Sequence, residues 1–216
     1  MTFKRKKYLV IRKVITKDLT KFIYGYFMLK RRVAKKFLDD RYISPFETGW
    51  GTWTDKQVPN TYSHYADIAM ETLLTWVQPT MEKHTGYKLS PTYSYLRIYK
   101  KGDVLKRHKD RFSCEISTTM FLGGEPWDIY LEPNKNVGKI PDGPYVPSTN
   151  KGIKVSLKPG DMLIYSGCEL EHWREAFQGE DCVQVFLHYN KADSKNAKEN
   201  EFDKRPHLGL PYWFKK

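Results

Sequence analysis

The second half of the chain consists of short runs in which β-branched and aromatic residues alternate with polar ones. Such runs, separated by turn sequences such as KKGD, GGEP and KPGD, are typical of β-strands joined by tight connections. An evenly spaced series of short strands favours a sandwich or a small barrel, including the eight-stranded jelly roll. The sequence contains eight candidate strands, at residues 93–99, 104–108, 115–122, 127–131, 153–157, 162–165, 170–174 and 182–189.

The first ninety residues have a different pattern, which is mainly helical. In residues 18–38 the apolar side chains recur at helical spacing, and a second helix is predicted from about residue 63 to residue 84. Helices followed by strands indicate an α+β fold in which N-terminal helices buttress a mainly β core. We predict one domain over residues 1–216, with residues 1–90 as helical support, the β core at 91–190 and a C-terminal tail at 191–216.

The composition limits the cellular setting more than the activity. Lys and Arg number 37 against 25 Asp and Glu, a formal charge of +12, which favours acidic partners without choosing among them. The three cysteines, Cys114, Cys168 and Cys182, form no CxxC pair, which argues against a zinc site or a disulfide framework. The apolar run YLVI near the N-terminus is too short for a signal peptide, and no window is long enough for a membrane span. We expect an intracellular, cytoplasmic protein with no membrane partner.

A histidine and an acid, His108 and Asp110, lie two residues apart where a predicted strand ends. Residues at this spacing point to the same side of a strand, so the pair is either a metal-binding pair or an ordinary surface ion pair. His172 lies on the seventh predicted strand, which neighbours the second strand in a jelly roll. The three side chains can therefore meet at one mouth of the barrel. Two histidines and one carboxylate form the facial triad of non-haem Fe(II) oxygenases.

Two longer segments extend this pattern to a family resemblance. PTYSYLRIYKKGDVLKRHKDR (91–111) and VSLKPGDMLIYSGCELEHWREAF (155–177) resemble the two ligand-bearing regions of the Fe(II)- and 2-oxoglutarate-dependent dioxygenases, in particular the prolyl 4-hydroxylase-like branch. The resemblance implies a double-stranded β-helix over residues 91–190 with His108, Asp110 and His172 as metal ligands. It also implies hydroxylation of a C–H bond coupled to the decarboxylation of 2-oxoglutarate to succinate and CO2. Fe(II), 2-oxoglutarate and dioxygen are the expected cofactors and co-substrates, with ascorbate in a supporting role.

One departure from the family pattern concerns the basic residue that holds the far carboxylate of 2-oxoglutarate. The family places it about ten residues after the distal histidine, where this chain has Asp181 and Cys182. Strand alternation offers Arg174, which shares the face of His172, and Arg97 as second choice. Arg97 needs an anionic partner, either 2-oxoglutarate or Glu115. Further polar side chains predicted to face the barrel interior and to bind the co-substrate are Tyr95, Tyr99, Gln184 and His188.

The substrate is less constrained by sequence. The family branch suggests a protein or peptide side chain such as proline, and the basic charge suggests that the partner is acidic. Oxygenases that act on nucleic acid or on a small molecule are alternatives, as is a non-catalytic β-barrel binding module. Residues 132–152 form a long segment rich in Pro and Gly, which is either a binding loop or a disordered insertion.

Overall fold

A computed structural model describes residues 2–138 and 145–215 of the chain. Within these ranges the α-helices are α1 (Phe3–Lys6), α2 (Lys17–Asp39), α3 (Ile68–Thr85) and α4 (Ala197–Asn200). The strands are β1 (Tyr8–Ile11), β2 (Tyr62–Tyr65), β3 (Leu89–Lys100), β4 (Leu105–His108), β5 (Ile116–Gly124), β6 (Ile129–Glu132), β7 (Ile153–Val155), β8 (Met162–Tyr165), β9 (Glu171–Arg174) and β10 (Asp181–Lys191). No helix in the described ranges is long and apolar enough to cross a membrane.

The strands form two antiparallel sheets. The larger sheet has the order β1-β8-β5-β10-β3-β2 and the smaller one the order β4-β9-β6-β7. Strands that are distant in sequence are neighbours in both sheets, as in a double-stranded β-helix. Each of the eight predicted runs coincides with one of β3 to β10, so the predicted fold class is confirmed.

The N-terminal region contains two strands that the helical pattern did not predict. The run YLVI is strand β1 and pairs with β8, and β2 pairs with β3, so both extend the larger sheet. The second helix consequently begins at Ile68 rather than near residue 63. Asp67 caps it, since its side chain accepts a hydrogen bond from the Met70 backbone N–H at 3.2 Å. Residues 62–65 form a strand because their backbone pairs with β3. A helix over the same residues would form only local backbone hydrogen bonds and would lose this pairing.

Alternation along the central strands separates two apolar clusters. One face of the larger sheet packs with α2 and α3, and Phe27, Leu74 and Val185 are fully buried there. The other face turns to the smaller sheet, and the side chains between the sheets include Tyr99 and Phe121. This inner space also receives the polar side chains of β3, β9 and β10, so the candidate site lies between the two sheets.

The C-terminal tail is held to the barrel by a buried ion pair. The Arg205 guanidinium lies 2.8 Å from Glu71 Oε1 on α3, and both side chains are almost fully buried. The same guanidinium donates to the Thr92 carbonyl at 3.2 Å, and Glu71 accepts from the Ser94 backbone N–H at 3.2 Å. The pair therefore joins the tail, α3 and β3.

We expect Arg205→Ala to lower the free energy of unfolding by about 3–5 kcal/mol, because it leaves the Glu71 carboxylate buried without its partner. Urea denaturation at neutral pH measures this loss. Lys204→Ala is the matched control, since Lys204 pairs with the exposed Glu199 and its removal should leave stability nearly unchanged. An equal loss in the two variants would show that the buried pair contributes no more than a surface pair.

Candidate active site

Two histidines face each other across paired strands. His108 ends β4 and His172 lies on β9, and the two residues are direct partners in the antiparallel register. Their ring centroids are 4.2 Å apart. The cross-strand pairing places both imidazoles on the inner face of the smaller sheet.

Asp110 completes the cluster from the turn after β4. Its Oδ1 lies 3.4 Å from His108 Nε2 and 3.3 Å from His172 Nε2. The backbone N–H of Asp110 donates to the Gly167 carbonyl at 2.9 Å, and a Cβ added at Gly167 would collide with Asp110 Oδ2. Burial favours the neutral acid, but the charge of His172 and hydrogen bonds with both histidines hold the pKa of Asp110 well below its usual range.

The ring orientations fit a metal site. His108 Nδ1 lies 2.7 Å from the Lys106 carbonyl and His172 Nδ1 lies 3.0 Å from the Leu170 carbonyl. Each Nδ1–H donates a hydrogen bond to its carbonyl, so Nε2 is the nitrogen of each ring that faces Asp110 Oδ1 and that a metal would bind. Two imidazole nitrogens and one carboxylate form a donor set suited to Fe(II) with open coordination positions. The ligand atoms of these three residues lie close enough together to hold a single metal ion.

The triad lines a cavity of about 220 Å³ between the two sheets. Three of the six residues predicted to bind the co-substrate, Tyr95, Arg97 and His188, line it as well. Arg174, Tyr99 and Gln184 are buried just behind these residues and do not line the cavity. The remaining lining residues are Asp55, Gln57, Tyr93, Leu105, Tyr165 and Phe186.

Arg174 is a buried cation with neutral partners. It is 1% exposed and donates to the Trp127 carbonyl and, at 3.4 Å, to Thr119 Oγ1. Its Nε has no hydrogen-bond partner within the described ranges. Burial lowers the pKa of Arg174, because a guanidinium away from water is costly without an anion beside it. Burial likewise raises the pKa of the Cys182 thiol, and the nearby charge of Arg174 opposes this effect.

Three further predicted residues are held by partners within the barrel. The Tyr99 hydroxyl accepts a hydrogen bond from Arg97 at 3.3 Å, and Gln184 Oε1 accepts one from Thr119 at 3.0 Å. His188 stacks on Tyr93 with ring centroids 4.5 Å apart, and burial lowers its pKa to about 4. His188 is therefore a neutral wall of the cavity at physiological pH.

The partner of Arg97 is Asp55, which the sequence did not indicate. Arg97 Nη2 lies 2.6 Å from Asp55 Oδ2, and Tyr95 also donates a hydrogen bond to this carboxylate. The alternative partner Glu115 is wrong, since it pairs with Lys191 at 2.7 Å. Asp55 belongs to an irregular loop whose position depends on long-range packing. Strand alternation therefore could not predict that Asp55 reaches Arg97.

The long segment at 132–152 is partly described, because residues 139–144 lie outside the described ranges. Its described part is bound to the buried Glu171, the residue before the metal-ligand candidate His172. The Glu171 carboxylate accepts hydrogen bonds from the Tyr145 hydroxyl at 3.0 Å and from the Ser148 backbone N–H at 2.9 Å. Arg107 donates to Ser148 Oγ at 3.1 Å. The segment thus packs beside the strands that carry both histidines.

The fold can be compared with solved structures. A Pseudomonas putida prolyl-4-hydroxylase superposes with a TM-score of 0.57 at 12% identity, over 88% of this chain and 95% of that one. HygX from Streptomyces hygroscopicus, solved with nickel and 2-oxoglutarate, superposes with a TM-score of 0.61 at 15% identity, over 88% and 85%. EctD from S. alaskensis, solved with 2-oxoglutarate and 5-hydroxyectoine, gives 0.60 at 16% identity, over 100% and 81%.

No protein-family model matches the chain, and no curated protein is similar to it in sequence. The structural similarities therefore establish the fold, which is the double-stranded β-helix of the 2-oxoglutarate and Fe(II) oxygenases. The resemblance read from the sequence is confirmed at this level.

Proposed function

We propose that this protein is an Fe(II)- and 2-oxoglutarate-dependent oxygenase that hydroxylates a C–H bond and converts 2-oxoglutarate to succinate and CO2. The observation that carries the proposal is the meeting of His108, Asp110 and His172 at one cavity between the two sheets. Fe(II) bound there would supply dioxygen activation. The solved structures that contain nickel or 2-oxoglutarate on the same fold support this choice of cofactors.

The side chains of the site have separate proposed roles in binding the metal and the co-substrate. His108 and His172 would bind the metal through Nε2, because Nδ1 of each ring donates a hydrogen bond to a backbone carbonyl. Asp110 would supply the charged oxygen ligand between them. Arg174 is the proposed ligand of the far carboxylate of 2-oxoglutarate, since it is buried, cationic and held by neutral groups. The cavity walls from Tyr95 and His188 would exclude water from the bound co-substrate.

The proposed target is a C–H bond in a protein or peptide side chain, such as that of proline. The similarity to a prolyl-4-hydroxylase supports this class. The similarity to HygX, which was also solved with hygromycin B bound, supports a small molecule as the alternative.

The direct test is uncoupled turnover. The purified protein with Fe(II), ascorbate and 2-oxoglutarate is expected to form succinate slowly in the absence of any other substrate. In the presence of Ni(II), 2-oxoglutarate should also raise the melting temperature, because a ligand that binds only the folded state stabilises it. If neither succinate formation nor a rise in melting temperature is observed, the proposed oxygenase activity is wrong, and a non-catalytic β-barrel binding module is favoured.

A further inference from the structure

The barrel interior contains a second buried arginine whose surroundings differ from those of Arg174. Arg97 is 2% exposed and lines the cavity of the triad, and it is bound to a carboxylate from outside the barrel strands. A buried guanidinium needs an anion, and this one has Asp55 at 2.6 Å. Burial favours the neutral form of Asp55, but the charge of Arg97 and the hydrogen bond from Tyr95 hold its pKa below the usual range. Arg97 therefore already binds one carboxylate, that of Asp55, within the cavity.

The carboxylate on Arg97 lies where the cavity adjoins a second groove. Asp55, Tyr93 and Tyr95 line the triad cavity and also an adjoining groove of about 440 Å³, which extends to Arg111 and Lys215. Arg111 and Lys215 share one carboxylate partner, Asp203, at 2.8 Å and 2.6 Å. A substrate in this groove would contact Asp55, the partner of Arg97, where the groove and the cavity meet.

The loop that supplies Asp55 also touches a metal-ligand atom. Gln57 Oε1 accepts hydrogen bonds from both terminal nitrogens of Arg97 at 3.2 Å, and Gln57 Nε2 lies 3.1 Å from His108 Nε2. A metal on that nitrogen requires the Gln57 contact to break. Because Gln57 and Asp55 bind the same guanidinium from one irregular loop, metal binding would loosen the groups that cover Arg97.

We propose that Arg97 recognises the substrate to be hydroxylated, that this substrate carries a carboxylate, and that the carboxylate replaces Asp55 on Arg97. The inference rests on the proposed function and deepens it. It separates the roles of the two arginines: Arg174, which is buried outside the cavity lining, is the proposed ligand of the co-substrate, and Arg97, which lines the cavity, binds the substrate. The carboxylate belongs either to a free acid or to an acidic side chain within a peptide.

The test uses the protein loaded with Ni(II) and 2-oxoglutarate, so that added carboxylates cannot enter the co-substrate site. Four probes are titrated by calorimetry. N-Acetylglycine represents a free acid and N-acetylaspartate α-amide an acidic side chain in a peptide. N-Acetylglycinamide and N-acetylasparagine amide are their neutral counterparts. At least one carboxylate is expected to bind at least about tenfold more tightly than its amide, and the better carboxylate identifies the source.

Variants assign this binding to Arg97. Arg97→Gln is expected to weaken carboxylate binding at least about tenfold. Asp55→Asn is expected to strengthen it at least about threefold, because the internal competitor loses its charge. Asp39→Asn is the control, since it removes one exposed carboxylate far from the cavity, and it should change nothing. If Arg97→Gln does not fold, the double variant with Asp55→Asn removes both charges and is expected to show the same loss.

Equal binding of acids and amides would overturn the proposal, as would unchanged binding in Arg97→Gln or weaker binding in Asp55→Asn. A loss of 2-oxoglutarate affinity in Arg97→Gln would make Arg97 the co-substrate ligand and would likewise contradict it. The proposed function has its own test, because it is wrong if 2-oxoglutarate does not raise the melting temperature of the Ni(II)-loaded parent protein.

Discussion

Asp110→Ala is expected to weaken Ni(II) and Fe(II) binding by more than about 100-fold and to abolish succinate formation, because it removes the only charged ligand of the proposed triad. The carboxylate oxygen of Asp110 lies within 3.4 Å of both Nε2 atoms. Asp55 is the only other acid that lines the described cavity, and it could replace Asp110 only if the loop that carries it moved. Metal affinity is measured by calorimetry with Ni(II), which does not turn over.

The control for this variant is Asp128→Ala. Asp128 belongs to the same barrel but lies outside the cavity and pairs with Lys154 at 2.8 Å. It should leave metal affinity unchanged. If Asp110→Ala binds Ni(II) as tightly as the parent and the control, the assignment of the triad is wrong.

Arg174→Ala is expected to weaken 2-oxoglutarate binding by at least about tenfold, because a charge-assisted bidentate contact to a carboxylate is lost. Metal affinity should stay unchanged, since Arg174 does not touch the triad in the described contacts. The dissociation constant of 2-oxoglutarate in the Ni(II)-loaded protein measures the effect. An unchanged dissociation constant would show that Arg174 does not bind 2-oxoglutarate.

A rescue variant separates loss of charge from loss of packing. Cys182 lies where the family resemblance predicts the basic residue, and the charge of Arg174 acts on its thiol. We therefore expect Arg174→Ala combined with Cys182→Arg to recover part of the 2-oxoglutarate affinity, because the new guanidinium starts from β10 of the other sheet, close enough for the charge of Arg174 to act on the Cys182 thiol. Arg174→Met, which restores volume without charge, should not recover it.

The metal-ligand candidates illustrate how far strand periodicity reaches. Strand alternation predicted that His108 and Asp110 share a side, but β4 ends at His108 and Asp110 approaches both histidines from the turn after it. The position of His172 beside His108 follows from the pairing of β4 with β9. The same alternation put Arg97 and Arg174 inside the barrel, and both are buried there. It did not predict strands β1 and β2, since short segments become strands only when a distant edge is available for pairing.

The sequence by itself predicted the eight-stranded core and the two interior arginines from local periodicity, and the three metal-ligand candidates from the strand order of a jelly roll and the family resemblance. Only the tertiary structure decided which arginine already has a carboxylate. Asp55 reaches Arg97 across 42 positions of the chain, from a loop with no repeating pattern. Such a contact depends on how the loop packs against the finished barrel, and local alternation contains no information about it.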